Sequence, residues 1–320
     1  MKQTAAIKRS KGQRGLAAAA TYIYKYRYLY LMLIPGLAFL LIFKYVPMYG
    51  VIIAFKNFNF KKGIFGSPFN NFQHFKTLFS SARFYRVLGN SLAMSLIRLV
   101  FSFPVPIILA LLLNEMRSVW CKRTCQTMMY LPHFISWVVL AGIATNFLSM
   151  TDGLINDLIV KLGGEKVNFL GSTSWFRVII VATHIWKEAG RGTVIYLATL
   201  SGISPEYYEA AKVDGANRMQ QIRYVTLPGL ANTIVILLVL QIGGLMNNGF
   251  EQIYLFQNDL NLSVSDVFET YTYQIGISGG QYSYSTAVGL FKNLVGLVLV
   301  LSSNRIARCV LIKQKGGKNP

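Results

Sequence analysis

Apolar residues in this chain gather in long runs instead of alternating with polar ones. Six runs stand out, at residues 29–55, 88–114, 126–149, 175–200, 227–249 and 285–304. Each reaches the ~20 residues a helix needs to cross the hydrocarbon core of a bilayer. The pattern predicts an all-α integral membrane protein with six spans. Residues 1–28 read as a basic arm and an interfacial segment. Residues 29–87 read as a first span with an external loop, residues 88–304 as a five-span core, and residues 305–320 as a basic tail. Tyr22, Tyr24, Tyr26, Tyr28 and Tyr30 interleave with Lys25 and Arg27 just ahead of the first run. Such a stripe could stack nucleic acid, but at the mouth of an apolar run an interfacial belt is the commoner cause. No small-residue cleavage site follows the first run, so it reads as an uncleaved anchor.

Composition agrees. The chain is 53% hydrophobic and 14% charged, with a mean hydropathy of +0.42. Soluble domains carry about 25% charged residues. The net charge of +20 does not point to nucleic acid, because much of it flanks the apolar runs. Basic residues gather in the N-terminal arm, the turn at Arg117, Lys122 and Arg123, the segment 206–228 and the C-terminal tail. The positive-inside rule places these in the cytoplasm, with both termini. The loop 56–86 is a partial exception, with Lys56, Lys61, Lys62, Lys76, Arg83 and Arg86. The loop 251–282 holds Glu251, Asp259, Asp266 and Glu269 without Lys or Arg, and reads as external. Cys121, Cys125 and Cys309 all fall near cytoplasmic ends and are expected as free thiols.

One polar stretch interrupts the apolar pattern between the fourth and fifth runs. Ser204 is a good N-cap and Pro205 suits the first helical position, so a short helix should run over 205–213. Asp214-Gly215 would stop it, with Gly215 free to turn left-handed. A second short helix is expected from about Ala216 to just before Thr226. Glu209-Ala210-Ala211, Asp214-Gly215 and Val225-x-Leu227-Pro228 resemble the EAA loop of binding-protein-dependent ABC importers, with Val225 where isoleucine is usual. The other reading is an amphipathic surface helix with an accidental triplet. Phe43-Lys44-Tyr45-Val46-Pro47-Met48-Tyr49-Gly50, Gly249-Phe250-Glu251-Gln252-Ile253 and residues 282–291 extend the resemblance to LplB-like oligosaccharide permeases of the carbohydrate branch.

The resemblance implies a type I ABC importer fold of six spans, with residues 202–226 as a cytoplasmic coupling helix. Glu209, Ala210, Ala211, Asp214, Gly215, Leu227 and Pro228 would then contact an ATPase subunit. It also implies a second permease subunit, two ATP-binding subunits carrying ATP and Mg, and an external sugar-binding protein. The sequence has no G-x-x-x-x-G-K-[ST] phosphate loop, so ATP is not expected on this chain. Gly276-Ile277-Ser278-Gly279-Gly280 matches G-x-S-x-G only formally. It lacks the strand–turn–helix setting of a nucleophile elbow, and His74, His133 and His184 have no evident carboxylate to orient them. The chain is read as a permease and not an enzyme. A membrane-embedded enzyme or a sensor is the alternative.

Charges inside spans cost about 2.5–3.5 kcal/mol each at a helix centre. Lys44, Arg98, Lys187, Arg191 and Lys292 outnumber the lone acid Glu188, so something is expected to neutralise them, either a substrate or carboxylates of the partner permease. An acidic oligosaccharide is one candidate and a neutral one the other. Glu188 and Arg191 can also simply pair with each other, and Lys44 and Arg98 can snorkel from span ends. Trp137, Trp186, Asn247, Asn248, Glu251, Gln252, Tyr282 and Tyr284 offer amides, a carboxylate and aromatic faces to a sugar. Together with Lys187, Glu188, Arg191 and Lys292 they form the expected substrate set.

Overall fold

The computed structural model describes residue 22 and residues 24–316, with side chains to 305. The basic arm ahead of Tyr22 and the tail cations Arg308, Lys313, Lys315 and Lys318 fall outside the described side chains. The described residues hold helices and one isolated antiparallel bridge, Lys56 to Phe69. The chain divides into two compact units, residues 1–53 with 58–67, and residues 54–57 with 68–320.

Helix α1 starts as Arg27–Leu40, tightens into a π turn over Leu41–Tyr45 and continues as a 3-10 segment over Val46–Phe55. Pro47 explains the change of winding. It has no N–H to donate, and its ring crowds the carbonyl four residues back, so the preceding turn widens. The same device recurs later, where a π turn at Ile222–Thr226 precedes Pro228.

In the second unit, α2 (Gln73–Ser80) leads to α3 (Ala82–Phe101), whose N-cap Ser81 accepts a hydrogen bond from the Phe84 N–H. A break at Ser102-Phe103 precedes α4 (Pro104–Glu115). Together α3 and α4 form an apolar stretch long enough to cross a membrane, as do Arg27–Phe55, Arg218–Gly243 and Tyr282–Arg305. The expected third span is different. Helix α5 (Val119–Tyr130) and the 3-10 turn Leu131–Phe134 meet α6 (Trp137–Leu148) at a bend of 99°. Pro132 ends the first piece and Ser136 caps the second, its hydroxyl accepting from the Val139 N–H at 3.2 Å. Residues 126–149 are therefore a broken pair and not one straight helix.

After the short helix α7 (Leu154–Lys161) comes the longest element wholly within the core, α8 (Thr173–Ser201, 29 residues). It carries Arg177, Lys187, Glu188 and Arg191, so its composition alone does not mark it as a span. Helix α8 packs on α3, α4 and α5 and on α11 (Leu227–Gly243). Small residues allow the closest approaches. A Cβ on Gly190 would lie 1.9 Å from the Met129 carbonyl oxygen, and one on Gly192 would lie 2.9 Å from the Pro106 ring. Close backbone approach of this kind takes the place of a hydrophobic driving force between helices in lipid.

Helix α11, the helix of the fifth apolar run, ends at Gly243, six residues before the expected limit. The chain then turns back through Gly249 (φ +75°) into α12 (Phe250–Phe256), a single turn at Leu262–Ser265, and α13 (Phe268–Tyr273). The expected external loop 251–282 is thus folded structure. Ile253, Phe256, Val267, Phe268 and Tyr271 are buried. Ile253, Phe256 and Val267 join Met94, Leu140 and Ile180 in one core, while Phe268 and Tyr271 join Phe84 and Val288 in another. Two of its four acids, Asp266 and Glu269, are internal partners. Asp266 accepts from the Arg83 Nε at 2.7 Å, and Glu269 accepts from the Lys292 Nζ at 2.8 Å on the last helix, α14 (Tyr282–Gly316).

Candidate functional site

A cavity of about 620 Å³ opens between α4, α8 and α11. Its walls are mostly apolar, with a polar band supplied by Ser102, His184, Glu188, Arg191, Tyr196 and Gln241. The Arg191 Nε donates to Glu188 Oε2 at 2.9 Å, one helical turn away on α8. The same carboxylate oxygen lies 3.3 Å from His133 Nδ1, a contact out of hydrogen-bond alignment. The expectation that no histidine has a carboxylate beside it is therefore corrected: His133 sits on the turn that α8 packs against. A smaller hollow of about 80 Å³ shares His184 and Gln241 as walls and is completed by Ser95, Arg98, Asn247 and Asn248, among others.

The expected substrate set separates into two groups. Glu188 and Arg191 line the larger cavity, and Asn247 and Asn248 the smaller one. Trp137, Trp186, Lys187, Glu251, Gln252, Tyr282, Tyr284 and Lys292 line neither. The fold uses several of them. Gln252 is buried, and its amide donates to the Ile180 carbonyl (2.7 Å) and the Thr183 hydroxyl (2.8 Å). Asn248 is fully buried, with its amide donating to the Ser91 carbonyl and its Oδ1 accepting from the Ser95 hydroxyl. The Tyr284 hydroxyl pairs with that of Tyr271 at 3.1 Å. Trp186 and Glu251 are exposed, and Tyr282 opens α14.

The expected surplus of unpaired cations is also corrected. Lys187 donates its ammonium to the His133 carbonyl (2.8 Å) and the Ile135 carbonyl, and lies over the Trp137 ring. It caps the carbonyl end of the 3-10 turn that α5 runs into, where a cation is favoured. Lys292 has Glu269 and Arg191 has Glu188. Lys44 is exposed on the π turn of α1. Arg98 differs. It is buried and donates to two neutral oxygens, the Asn248 carbonyl and Gln252 Oε1, each at 2.6 Å. Of the wall residues, Ser102, Tyr196 and Gln241 carry no signal in the sequence beyond lying near span ends and centres. Arg98 carried one, a charge in an apolar run.

The segment after α8 forms a separate knob. Helix α9 runs over Pro205–Val213, with the Ser204 hydroxyl accepting from the Glu206 N–H. Its last turn closes through the Ala216 N–H to the Ala211 carbonyl (2.9 Å), with Gly215 at φ +78°. Helix α10 (Arg218–Gln221) starts at Asn217 with a full capping box to Gln220. It does not stop before Thr226 as expected, but runs on through the π turn into α11, so Leu227 and Pro228 lie inside one continuous helix. The knob is tied down by Tyr208 to Thr226 (3.2 Å) and Arg218 to Glu115 (2.6 Å). Glu209 and Ala210 are exposed, as are the apolar Tyr207, Val213, Met219 and Tyr224. Ser278 of the formal G-x-S-x-G match lies in a π turn, Gln274–Ser278, without a preceding strand.

Comparison with known proteins adds a second line of information. Residues 79–311 match the family described as "Binding-protein-dependent transport system inner membrane component". The chain is 49% identical over 277 residues to Protein LplB of Bacillus subtilis (strain 168), covering 87% of each chain. It is 47% identical over 277 residues to the Polygalacturonan/rhamnogalacturonan transport system permease protein YteP of the same organism, covering 87% of this chain and 86% of the relative. Among solved structures it resembles a bacterial ABC transporter involved in the import of the acidic polysaccharide alginate. The TM-score is 0.85 at 41% identity, covering 92% of this chain and 99% of the other. A second structure of the bacterial alginate ABC transporter, in complex with an alginate pentasaccharide-bound periplasmic protein, matches with a TM-score of 0.83 over 91% and 97%.

Proposed function

Because the chain belongs to the family of binding-protein-dependent transport system inner membrane components, we propose that it is a permease subunit of an ATP-driven oligosaccharide importer in the plasma membrane. The observation that carries this is the cavity between α4, α8 and α11, with its polar band set among apolar helices. A sugar needs a few placed polar groups on an otherwise apolar wall. Glu188, Arg191 and Asn247 of the expected set remain available for that task, joined by His184, Tyr196 and Gln241. The named relatives that handle polygalacturonan, rhamnogalacturonan and alginate favour an acidic sugar as substrate.

The chain brings the path and not the motor. ATP and Mg belong to two separate ATP-binding subunits, a second permease completes the cavity, and an external binding protein delivers the sugar. The knob of α9 and α10 is the coupling element. Its exposed Glu209 and Ala210, with half-buried Ala211 beside them, offer close approach, while Tyr207, Val213 and Met219 supply apolar area to bury. Since α10 runs into α11, a push on the knob moves a wall of the cavity directly. When the tagged chain is purified in mild detergent, an ATPase and a second permease are expected with it. The reconstituted complex is expected to accumulate galacturonate oligomers only with ATP. A chain that purifies alone, or uptake indifferent to ATP, refutes the reading.

In this arrangement the knob and both termini are cytoplasmic, and the turn around Asp259 is external. In a background without native cysteines, Asp259→Cys is expected to react with an impermeant thiol reagent in intact cells, and Arg218→Cys only after permeabilisation. Both positions are exposed. External labelling at 218 would invert the orientation and remove the coupling role.

A further inference from the structure

We infer that the small hollow beside the main cavity is a carboxylate subsite built around Arg98, which takes one acidic sugar residue of the transported oligosaccharide. The inference rests on the importer reading above and names the group that the path recognises. Arg98 is only 7% exposed, yet it has no carboxylate hydrogen-bonded to it among the described residues. Its two terminal nitrogens donate to neutral oxygens, and its Nε is buried without a partner. The acid Glu269 accepts from Lys292 and the Asn248 N–H through Oε1, and its Oε2 is buried without a hydrogen-bond partner, so neither oxygen bonds Arg98. A buried cation with an unused donor in low dielectric calls for an anion.

The dimensions are compatible with the group. At about 80 Å³ against about 620 Å³ for the main cavity, the hollow is the place for a small polar group such as a carboxylate. The ring would stay in the 620 Å³ cavity, with which the hollow shares His184 and Gln241. Gln241 is exposed at this junction and can donate to the same carboxylate. Arg191 in the main cavity cannot take this part as readily, because Glu188 already neutralises it. A purely structural tie between α3, the turn after α11, and α12 would need donors but no permanent charge. A guanidinium is the side chain suited to carboxylates.

The test is binding to the detergent-solubilised complex without the binding protein, so that the permease alone discriminates. The probes are the galacturonate trimer and its carboxyl-reduced, neutral counterpart, read by saturable thermal stabilisation. The charged trimer is expected to act at a concentration at least tenfold lower than the neutral one. Gln241→Glu places a carboxylate at the mouth of the hollow and is expected to erase that difference, as is Arg98→Met. Should Arg98→Met fail to fold, Gln241→Glu is read beside Arg191→Gln, which is expected to leave the difference intact because Glu188 already neutralises Arg191; a difference lost in Arg191→Gln overturns the subsite. Equal action of the two probes, no saturable effect of the charged trimer, or a difference that Gln241→Glu leaves intact overturns the subsite. ATP-driven uptake by the complete complex, measured in parallel, shows whether the importer reading stands when the subsite does not.

Discussion

One added methyl group at position 190 is expected to disrupt the core bundle. In Gly190→Ala the new Cβ would lie 1.9 Å from the Met129 carbonyl oxygen, 2.5 Å from its carbon and 3.1 Å from the Tyr130 nitrogen. All three are backbone atoms, so no rotamer change relieves the clash, and α8 must move away from α5. Overpacking of this kind costs about 1–3 kcal/mol. The movement also carries Lys187, one turn earlier on α8, off the carbonyls of His133 and Ile135. Hydrogen bonds from a charged donor contribute about 1.5–3 kcal/mol more. Thermal unfolding of the purified complex should show a strongly lowered midpoint, or the variant should fail to accumulate. Gly89→Ala is the control, because a Cβ there meets nothing within 4 Å. It should be neutral or gain about 0.5–1 kcal/mol from helix propensity. An unfolding midpoint for Gly190→Ala equal to that of Gly89→Ala would show that the close helix approach is not as drawn.

Much of the helical course was legible because a span must be apolar over its whole length. The first run was read at 29–55 and the helical stretch is Arg27–Phe55. The fourth was read at 175–200 and the helix is Thr173–Ser201. Where the limits differ, the cause is a local cap or a proline that hydropathy does not weigh. Helix α3 starts six residues ahead of the run because Ser81 caps it, and polar Arg83 and Arg86 hide its first turns. The 99° bend comes from Pro132 and Ser136, both visible in the sequence but overruled by the apolar residues on either side.

Long-range pairing was not legible. The in-span cations were weighed together against the one in-span acid, Glu188, whereas the partners of Lys292, Arg98 and Lys187 lie on other elements. Lys292 finds Glu269 23 residues away, Arg98 finds Gln252 154 residues away, and Lys187 reaches carbonyls more than 50 residues back. Sequence separation gives no hint of these contacts. The same blindness made 251–282 look like a plain loop and hid its helices, since Asp266 and Glu269 serve as internal partners of Arg83 and Lys292. The segment 205–213 was readable in detail because its signals are local. An N-cap serine, a first-turn proline and a C-terminal glycine act within a few residues of themselves.

The knob of α9 and α10, proposed above as the coupling element, yields the second large effect. Gly215 holds φ +78° between α9 and α10, and an added Cβ would meet nothing within 4 Å. The cost of replacing it is therefore backbone strain alone, without a steric clash. For an L-residue in the left-handed region that strain is about 1–2 kcal/mol, and a β-branched side chain tolerates the region least. Asparagine tolerates it well. A penalty of this size shifts a two-state turn by a factor of roughly 5–30. The turn re-aims the chain from α9 into α10, and α10 continues into α11, so relaxing it swings the exposed Glu209 face away from the direction in which the proposed docking would need it. Gly215→Val is expected to lower ATP-driven uptake about tenfold and to weaken ATPase co-purification. Gly215→Asn should stay within about threefold of the parent. The knob is exposed and lies outside the packed core, so all three proteins should insert and melt alike. Uptake that falls equally in both variants would point to loss of the glycine as such and not to its left-handed turn. Undiminished uptake in Gly215→Val would remove α9 and α10 from the transmission path.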